Sequence, residues 1–262
     1  MAEQKQSWAS EGFEGTKREE DRIAQMYGPN RFWMPVGTQK ELIFLDDEPL
    51  CFHEHNPKIN GDFKNWLTCA QAVSDDGAAC CEILGAKSRY WIGYFTVVDC
   101  SKYVDKKGNT HQYEIKLLPA KLKSLKKFQM KKKDRGSLVG CLYKATRADE
   151  KSPNIGDEHE FQKEADLVKL YEVANYRGKK MSELYSKAVE NEDAMRNLKR
   201  TFKVQLGTDG KPLPKLVSFN YMSLFEPKSS KDMRMMLAGV KPDEAGGEAD
   251  EPKTGASEDI PF

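Results

Sequence analysis

Apolar residues first gather at Phe32-Trp33-Met34-Pro35-Val36, break at Gly37, and resume at Glu41-Leu42-Ile43-Phe44-Leu45. This pattern predicts a hairpin, with Asp46-Asp47-Glu48-Pro49 closing its second strand. Cys51 to Leu84 holds neither a helical nor a strand period and is broken by Asn60-Gly61 and Asp75-Asp76-Gly77. Arg89 to Asp99 is β-branched and aromatic throughout, which predicts a central strand. Lys106-Lys107-Gly108-Asn109 is a turn, and His111 to Leu118 reads as the next strand. Pro119 suits the first turn of a helix over Ala120 to about Met130, with Leu122, Leu125 and Phe128 or Gln129 on one face. Leu138 to Arg147 is again a strand, and His159-Glu160-Phe161 an edge strand.

Beyond that point the period changes. Leu167, Leu170, Tyr171 and Ala174 keep helical spacing, and Met181, Leu184, Tyr185 and Ala188 start a second helix after Gly178. Phe202 to Leu206, a turn at Asp209-Gly210, and Leu216 to Phe219 predict a hairpin. Ser229 or Ser230 can cap a short helix over Lys231 to Leu237 that ends at Gly239.

The order strand, strand, strand, helix, strand, strand predicts a mainly β fold with added helices. A five-stranded OB-fold barrel has its helix between the third and fourth strands. The expected organisation is a polar arm over 1–30, the OB-fold domain over 31–164 with a Cys/His-rich insertion at 51–84, a helical and hairpin extension over 165–241, and a tail over 242–262. From Asp243 to Phe262 seven acids meet one base among Gly, Ala, Pro, Ser and Thr. Such a segment buries too little apolar surface to offset its ordering entropy and is expected to be disordered. Its tip, Asp259-Ile260-Pro261-Phe262, is an apolar hook on an acidic tether, which suits a peptide ligand for partner proteins.

Composition narrows the function. Charged residues are 32% and hydrophobic residues 39% of the 262 residues, with mean hydropathy −0.73. No apolar stretch approaches membrane-spanning length, and the first residues show no signal-peptide pattern, so cytoplasm is the expected compartment and the six cysteines are expected as thiols or metal ligands. The net charge of +1 conceals an asymmetry: Lys116 to Arg135 carries nine bases against one acid, Asp134. A basic middle with an acidic end fits a body that binds a polyanion.

Sequence-tolerant binding of single strands needs a basic groove for phosphates and aromatic faces for bases. Both are interleaved here. Arg89, Tyr90, Trp91 and Tyr94 lie on one predicted strand, followed by Lys102 and Tyr103. Tyr113 and Lys116 lie on the next, Tyr143, Lys144 and Arg147 on the fourth, and Lys121, Lys123, Lys126 and Lys127 on the helix. Alternation alone leaves open which aromatics face outward. An enzyme reading exists too: Asp99 or Asp105 with Glu114-Ile115-Lys116 imitates the carboxylate and lysine set of Mg²⁺-dependent nucleases. The motif is short, and no nucleophile elbow, P-loop or dinucleotide fingerprint accompanies it. A non-enzymatic binder is the expectation, with the nuclease or an RNA-binding OB module as alternatives.

Glu41 to Asp47, His55-Asn56-Pro57-Lys58-Ile59-Asn60-Gly61 with Asn65 to Cys69, and Phe95 to Asp99 resemble tailed-phage single-stranded DNA-binding proteins. Lys107-Gly108-Asn109 and Gly140 to Arg147 fit the same pattern, over roughly Phe32 to Phe161. The tip resembles the acidic Asp-Ile-Pro-Phe ending of bacterial-type single-stranded DNA-binding proteins. The resemblance implies an OB-fold and a coat on single-stranded DNA in replication, recombination and repair, in a host cytoplasm, with replication or recombination partners recruited by the tip. It also implies a structural Zn²⁺ held by His, Cys and a Cys-x-x-Cys pair. His55, Cys69 and Cys81 match, but Ala78 stands where the first cysteine of the pair belongs, and the adjacent Cys80 is an awkward substitute. A remodelled, metal-free loop is therefore expected ahead of a zinc site.

Overall fold

The computed structural model describes residues 28–57, 66–71, 77–85, 88–104, 108 and 110–238. The arm before Gly28, Asp105 and the whole acidic tail with Asp259, Ile260, Pro261 and Phe262 lie outside the described residues. The chain divides into two compact units, one of 1–52 and 91–226, the other of 53–90 and 227–262. The boundary falls inside two strands, between Phe52 and His53 and between Tyr90 and Trp91.

The larger unit is built on a mostly antiparallel sheet. Its principal strands are β1 (Thr38–Phe44), β4 (Arg89–Asp99), β7 (Glu114–Ala120), β8 (Cys141–Arg147) and β9 (Glu158–Glu164), with β2 (Leu50–His55) and β3 (Leu67–Thr68) between β1 and β4 in the chain. The short pair β5 (Tyr103–Val104) and β6 (Thr110–His111) forms a separate ribbon. The long helix α2 (Leu122–Arg135) follows α1 (Gly77–Leu84) in the chain and lies between β7 and β8. The sheet order is β7-β4-β1-β8-β9, continued beyond β7 by β10 (Asn175–Tyr176) and β11 (Lys179–Lys180).

This sheet is not closed into a barrel, contrary to the sequence expectation. The reason is visible in the hydrogen bonds of the free edge of β7. Phe32 N–H donates to Leu117 O at 2.7 Å, Leu117 N–H donates to Asn30 O at 2.9 Å, and Asn175 of β10 pairs with Glu114. The edge that would meet β9 is thus occupied by other segments. The predicted first strand, Phe32 to Val36, is likewise no hairpin arm: Arg31 only bridges to Leu117, while Phe32 and Met34 are core plugs.

Four rings sit at the centre. Phe44 meets Phe95 at 5.3 Å, Phe128 at 5.2 Å and Tyr143 at 5.5 Å, all edge-on. Phe128 comes from α2, which buries Ser124 and Phe128 one turn apart. Gly93 on β4 permits this approach, because a Cβ there would stand 2.6 Å from Leu125 Cδ2. Pro119 does not open the helix. It is the penultimate residue of β7, opposite Tyr94, and Leu122 is exposed rather than packed.

The extension forms α3 (Leu167–Val173), α4 (Met181–Glu190), α5 (Glu192–Thr201) and α6 (Tyr221–Leu224). Sequence reading passed over α5, although Asn191 caps it by accepting from Ala194 N–H at 2.9 Å. The predicted hairpin of 202–219 shrinks to two isolated bridges, Phe202 to Phe219 and Leu206 to Pro212. Pro212 and Pro214 lack the donors that a ladder needs.

In the smaller unit, α1 and α7 (Ser230–Leu237) accompany β3. Leu67, Cys69, Ala70, Cys80, Leu84 and Met233 form its buried cluster.

Candidate metal centre and nucleic-acid face

His55 ends β2, opposite Leu67 of β3. Cys69 follows β3, and its N–H donates to His53 O at 2.8 Å. Cys80 and Cys81 are consecutive on α1, so their side chains leave the helix about 100° apart. Nevertheless all four ligand atoms, His55 Nε2 and three Sγ, lie within 4.8 Å of one another. The sulfur separations are 3.6 Å for Cys69–Cys80, 3.8 Å for Cys69–Cys81 and 3.9 Å for Cys80–Cys81. His55 Nε2 is 3.7 Å from each sulfur of Cys80 and Cys81. With Zn–S of about 2.3 Å and Zn–N of about 2.0–2.1 Å, the edges of a tetrahedron are about 3.8 Å and about 3.5 Å. Five of the six edges therefore have the dimensions of a tetrahedral Cys₃His site, and the sixth, His55 to Cys69, is no longer than 4.8 Å.

The surroundings favour ligation as well. Ser88 Oγ donates its proton to a backbone carbonyl, Gly85 O at 2.7 Å or Leu84 O at 2.9 Å. It can then accept from His55 Nδ1–H at 2.9 Å, which leaves the Nε2 lone pair for an ion. Burial, with the nearby Arg89 cation, keeps the His55 pKa below its usual value. Burial and the Cys69 neighbour push Cys80 up to about 12, and Cys81 is raised by the same causes. Burial also opposes the Cys69 thiolate, but the Gln71 backbone and the two neighbouring thiols outweigh it and lower its pKa. The four residues could hold a metal. The structure brings Cys80 beside the predicted His55, Cys69 and Cys81.

The residues expected to meet nucleic acid separate by burial. Tyr94 is fully buried, stacked on Phe225 at 4.4 Å and Phe52 at 5.6 Å. Tyr143 belongs to the central ring cluster, and Arg147 is buried with its guanidinium donating to Met34 O at 2.6 Å. None of these three is a surface for bases or phosphates. Lys116 is also buried. Asp99 and Glu114 face each other directly across β4 and β7, where like charges repel. Lys116 Nζ sits 3.0 Å from Asp99 Oδ2 and 3.2 Å from Glu114 Oε2, and Lys40 Nζ is 3.2 Å from Asp99. Burial works against the Lys116 ammonium, but the two carboxylates outweigh it and raise its pKa. Tyr103 donates to Glu114, while Lys116 lies 4.3 Å from its ring centre. The Asp99, Glu114 and Lys116 set is thus assembled as the nuclease pattern predicts, but the ammonium fills the space between the carboxylates.

The remaining candidates stay at the surface. Lys121, Lys123 and Lys126 are exposed on α2, and Lys127 is half-buried, donating to Asp157 O. Lys102 and Lys144 line a pocket of about 340 Å³ with Lys40. Trp91 is 42% exposed, and Tyr113 is half-buried at a positive φ of 57°. Arg89 and Tyr90 are half-buried, and Tyr90 donates to Glu54. Sequence reasoning missed Trp33, 53% exposed between the buried Phe32 and Met34. The alternation in Phe-Trp-Met was the available signal. The chain matches no protein-family model, no curated protein and no solved structure.

Proposed function

We propose that the chain is a non-enzymatic single-stranded DNA-binding protein that coats exposed strands during replication, recombination and repair. The observation that carries this reading is α2. Its apolar contacts are confined to one face, while Lys121, Lys123, Lys126, Lys133 and Arg135 are exposed beside a single acid, Asp134. Such a helix carries a field suited to a phosphate backbone. The order β7-β4-β1-β8-β9, with a helix between the third and fourth strands in sequence, matches an OB-fold opened at its closing edge. Trp91 and Trp33 are aromatic faces of the size that base stacking needs. On this reading Asp259 to Phe262 recruits replication or recombination partners in the host cytoplasm. His55, Cys69, Cys80 and Cys81 hold a structural Zn²⁺, supported by the tetrahedral edge lengths. The nuclease alternative is disfavoured by the burial of Asp99 and Glu114 around Lys116.

Titration with labelled single-stranded and duplex DNA, with and without Mg²⁺, tests the reading. Single strands bind more tightly, no cleavage follows Mg²⁺, and log K falls linearly with log[salt]. Neutralising Lys121, Lys123, Lys126 and Lys127 together reduces the slope by up to about 3, at about 0.7 for each phosphate that is no longer neutralised. Equal affinity for duplex, or an unchanged slope in a folded variant, overturns it. An RNA competitor that displaces DNA at equal concentration favours the RNA-binding module instead.

A further inference from the structure

The helical extension carries a pocket of about 320 Å³ that plays no part in the proposed DNA contact. Its wall combines Tyr171, Tyr185, Val189, Leu213 and Pro214 with the polar Ser186 and Asp209, and Lys211 is the only cation among its described lining residues. Val189 and Leu213 are 47% and 39% exposed, so the apolar surface is open to a ligand. Tyr185 is the informative member. It is only 3% exposed, it packs edge-on against Tyr171 at 5.6 Å, and its hydroxyl has no hydrogen-bond partner among the described residues. A buried hydroxyl without a partner is destabilising, and native proteins rarely leave one. A ligand that brings an acceptor oxygen into the pocket would remove that cost.

The required chemistry is an apolar group, an acceptor oxygen and a negative charge for Lys211. The segment Glu258-Asp259-Ile260-Pro261-Phe262 has all three. Charge is complementary over a longer range. Residues 202–225 carry Lys203, Lys211 and Lys215 against the single acid Asp209, whereas 243–262 carries seven acids and one base. Asp209 itself is engaged with the Lys211 backbone N–H at 3.1 Å.

We propose that this pocket receives residues 258–262 of a second copy of the chain. Phe262 and Pro261 pack on Tyr171, Val189 and Leu213, an acidic side chain pairs with Lys211, and a carbonyl oxygen accepts from Tyr185. Copies side by side on one strand would hold the segment at high effective concentration. The assignment does not depend on the DNA reading, and its test contains no DNA.

A fluorescent peptide of residues 243–262 is titrated into the full-length protein and followed by anisotropy, with sedimentation of the unlabelled protein over a concentration series. Binding is saturable. It weakens at least tenfold with Lys211→Glu in the protein or Phe262→Ala in the peptide. Tyr185→Phe, which keeps the ring and removes the donor, weakens it several-fold. Self-association of the full chain weakens with the same protein variants. Absence of saturable binding overturns the proposal. So does binding lost with Lys126→Glu but kept with Lys211→Glu, which would place the segment on α2. A chain that remains monomeric throughout the series overturns the second-copy assignment.

Discussion

At the centre of the larger unit stand Phe44, Phe95, Phe128 and Tyr143, backed by Met34, Leu42, Val97, Leu118 and Leu138. The comparable place in the smaller unit is filled by Leu67, Cys69, Ala70, Cys80, Leu84 and Met233. Burying one large apolar side chain contributes roughly 1.5–3 kcal/mol, and fixing one residue's backbone costs about 1–2 kcal/mol. The larger unit has many such side chains, with ring pairs adding about 0.5–1.5 kcal/mol each. The described core of the smaller unit has few, and two of its buried members are thiols. A structural Zn²⁺ contributes about 10–16 kcal/mol in small domains of this kind. The comparison teaches that one unit is ordered by apolar volume and ring packing, and that the proposed ion would matter most in the other, where apolar volume is least.

The largest effect that could break this comparison is removal of the proposed metal. A strong chelator, or Cys80→Ser, is expected to abolish amide-exchange protection in the described parts of 53–90, on the order of 10 kcal/mol of ligation energy being lost. Protection in 91–226 should persist. Cys51→Ser, outside the cluster, is the control. Purified protein without stoichiometric zinc, or protection of 53–90 that survives chelation, would show that the smaller unit is ordered by packing after all.

Next in size is Phe128→Ala. It deletes the ring that α2 places against Phe44 and Phe95. A loss of about 3–5 kcal/mol is expected from the denaturant midpoint, with zinc content unchanged. A loss below about 1 kcal/mol would mean that the four rings are not the centre of the larger unit.

What was legible in the sequence follows the same division. The β-branched and aromatic strands and the helical spacing from Leu167 to Ala188 were readable because each is a local signal. Barrel closure was not, because whether β7 meets β9 or Asn30 to Phe32 and Asn175 depends on partners far apart in sequence. The aromatic sets could not be sorted for a related reason: both faces of β4 are covered, one by the ring core and the other by Phe52 and Phe225. The metal cluster was half legible. His55 and Cys69 stand at plausible spacing, but consecutive cysteines on a helix look unsuitable until the Sγ positions are known. The Asp99, Glu114 and Lys116 pattern was legible as a motif, but a sequence does not reveal that the lysine lies between the two acids.

The smallest of the three effects separates the units by pH. His159 on β9 is buried. Its Nε2–H donates to Ile155 O at 3.1 Å, and its ring meets Phe128 edge-on at 4.9 Å. Burial, with the nearby Lys131 and Lys127 ammonium groups, lowers its pKa to about 4. The unfolded value is near about 6.5, so the unfolded chain takes up the proton first as pH falls. The stabilisation from neutral His159 is complete above about pH 6.5 and is lost as pH falls toward 4, amounting to about 3 kcal/mol by pH 4. Asp46 acts with the opposite sign. Burial raises its pKa despite hydrogen bonds from Tyr221 and Thr96, so its contribution is present at low pH and is lost as pH rises. The net acid limb of the wild-type protein therefore mixes the two, and the difference between wild type and His159→Gln isolates one of them. The amide that this substitution introduces can still donate to Ile155 O but does not titrate. Denaturation of both proteins at about pH 7.5 and about pH 4.5, followed through amide exchange in 91–226 so that acid release of metal in 53–90 does not enter, should give an acid loss about 2.5 kcal/mol smaller in the variant. Equal acid losses in the two proteins would mean that His159 is hydrated and titrates normally. The ring core would then be less sealed on its β9 side than the packing of Phe128 implies.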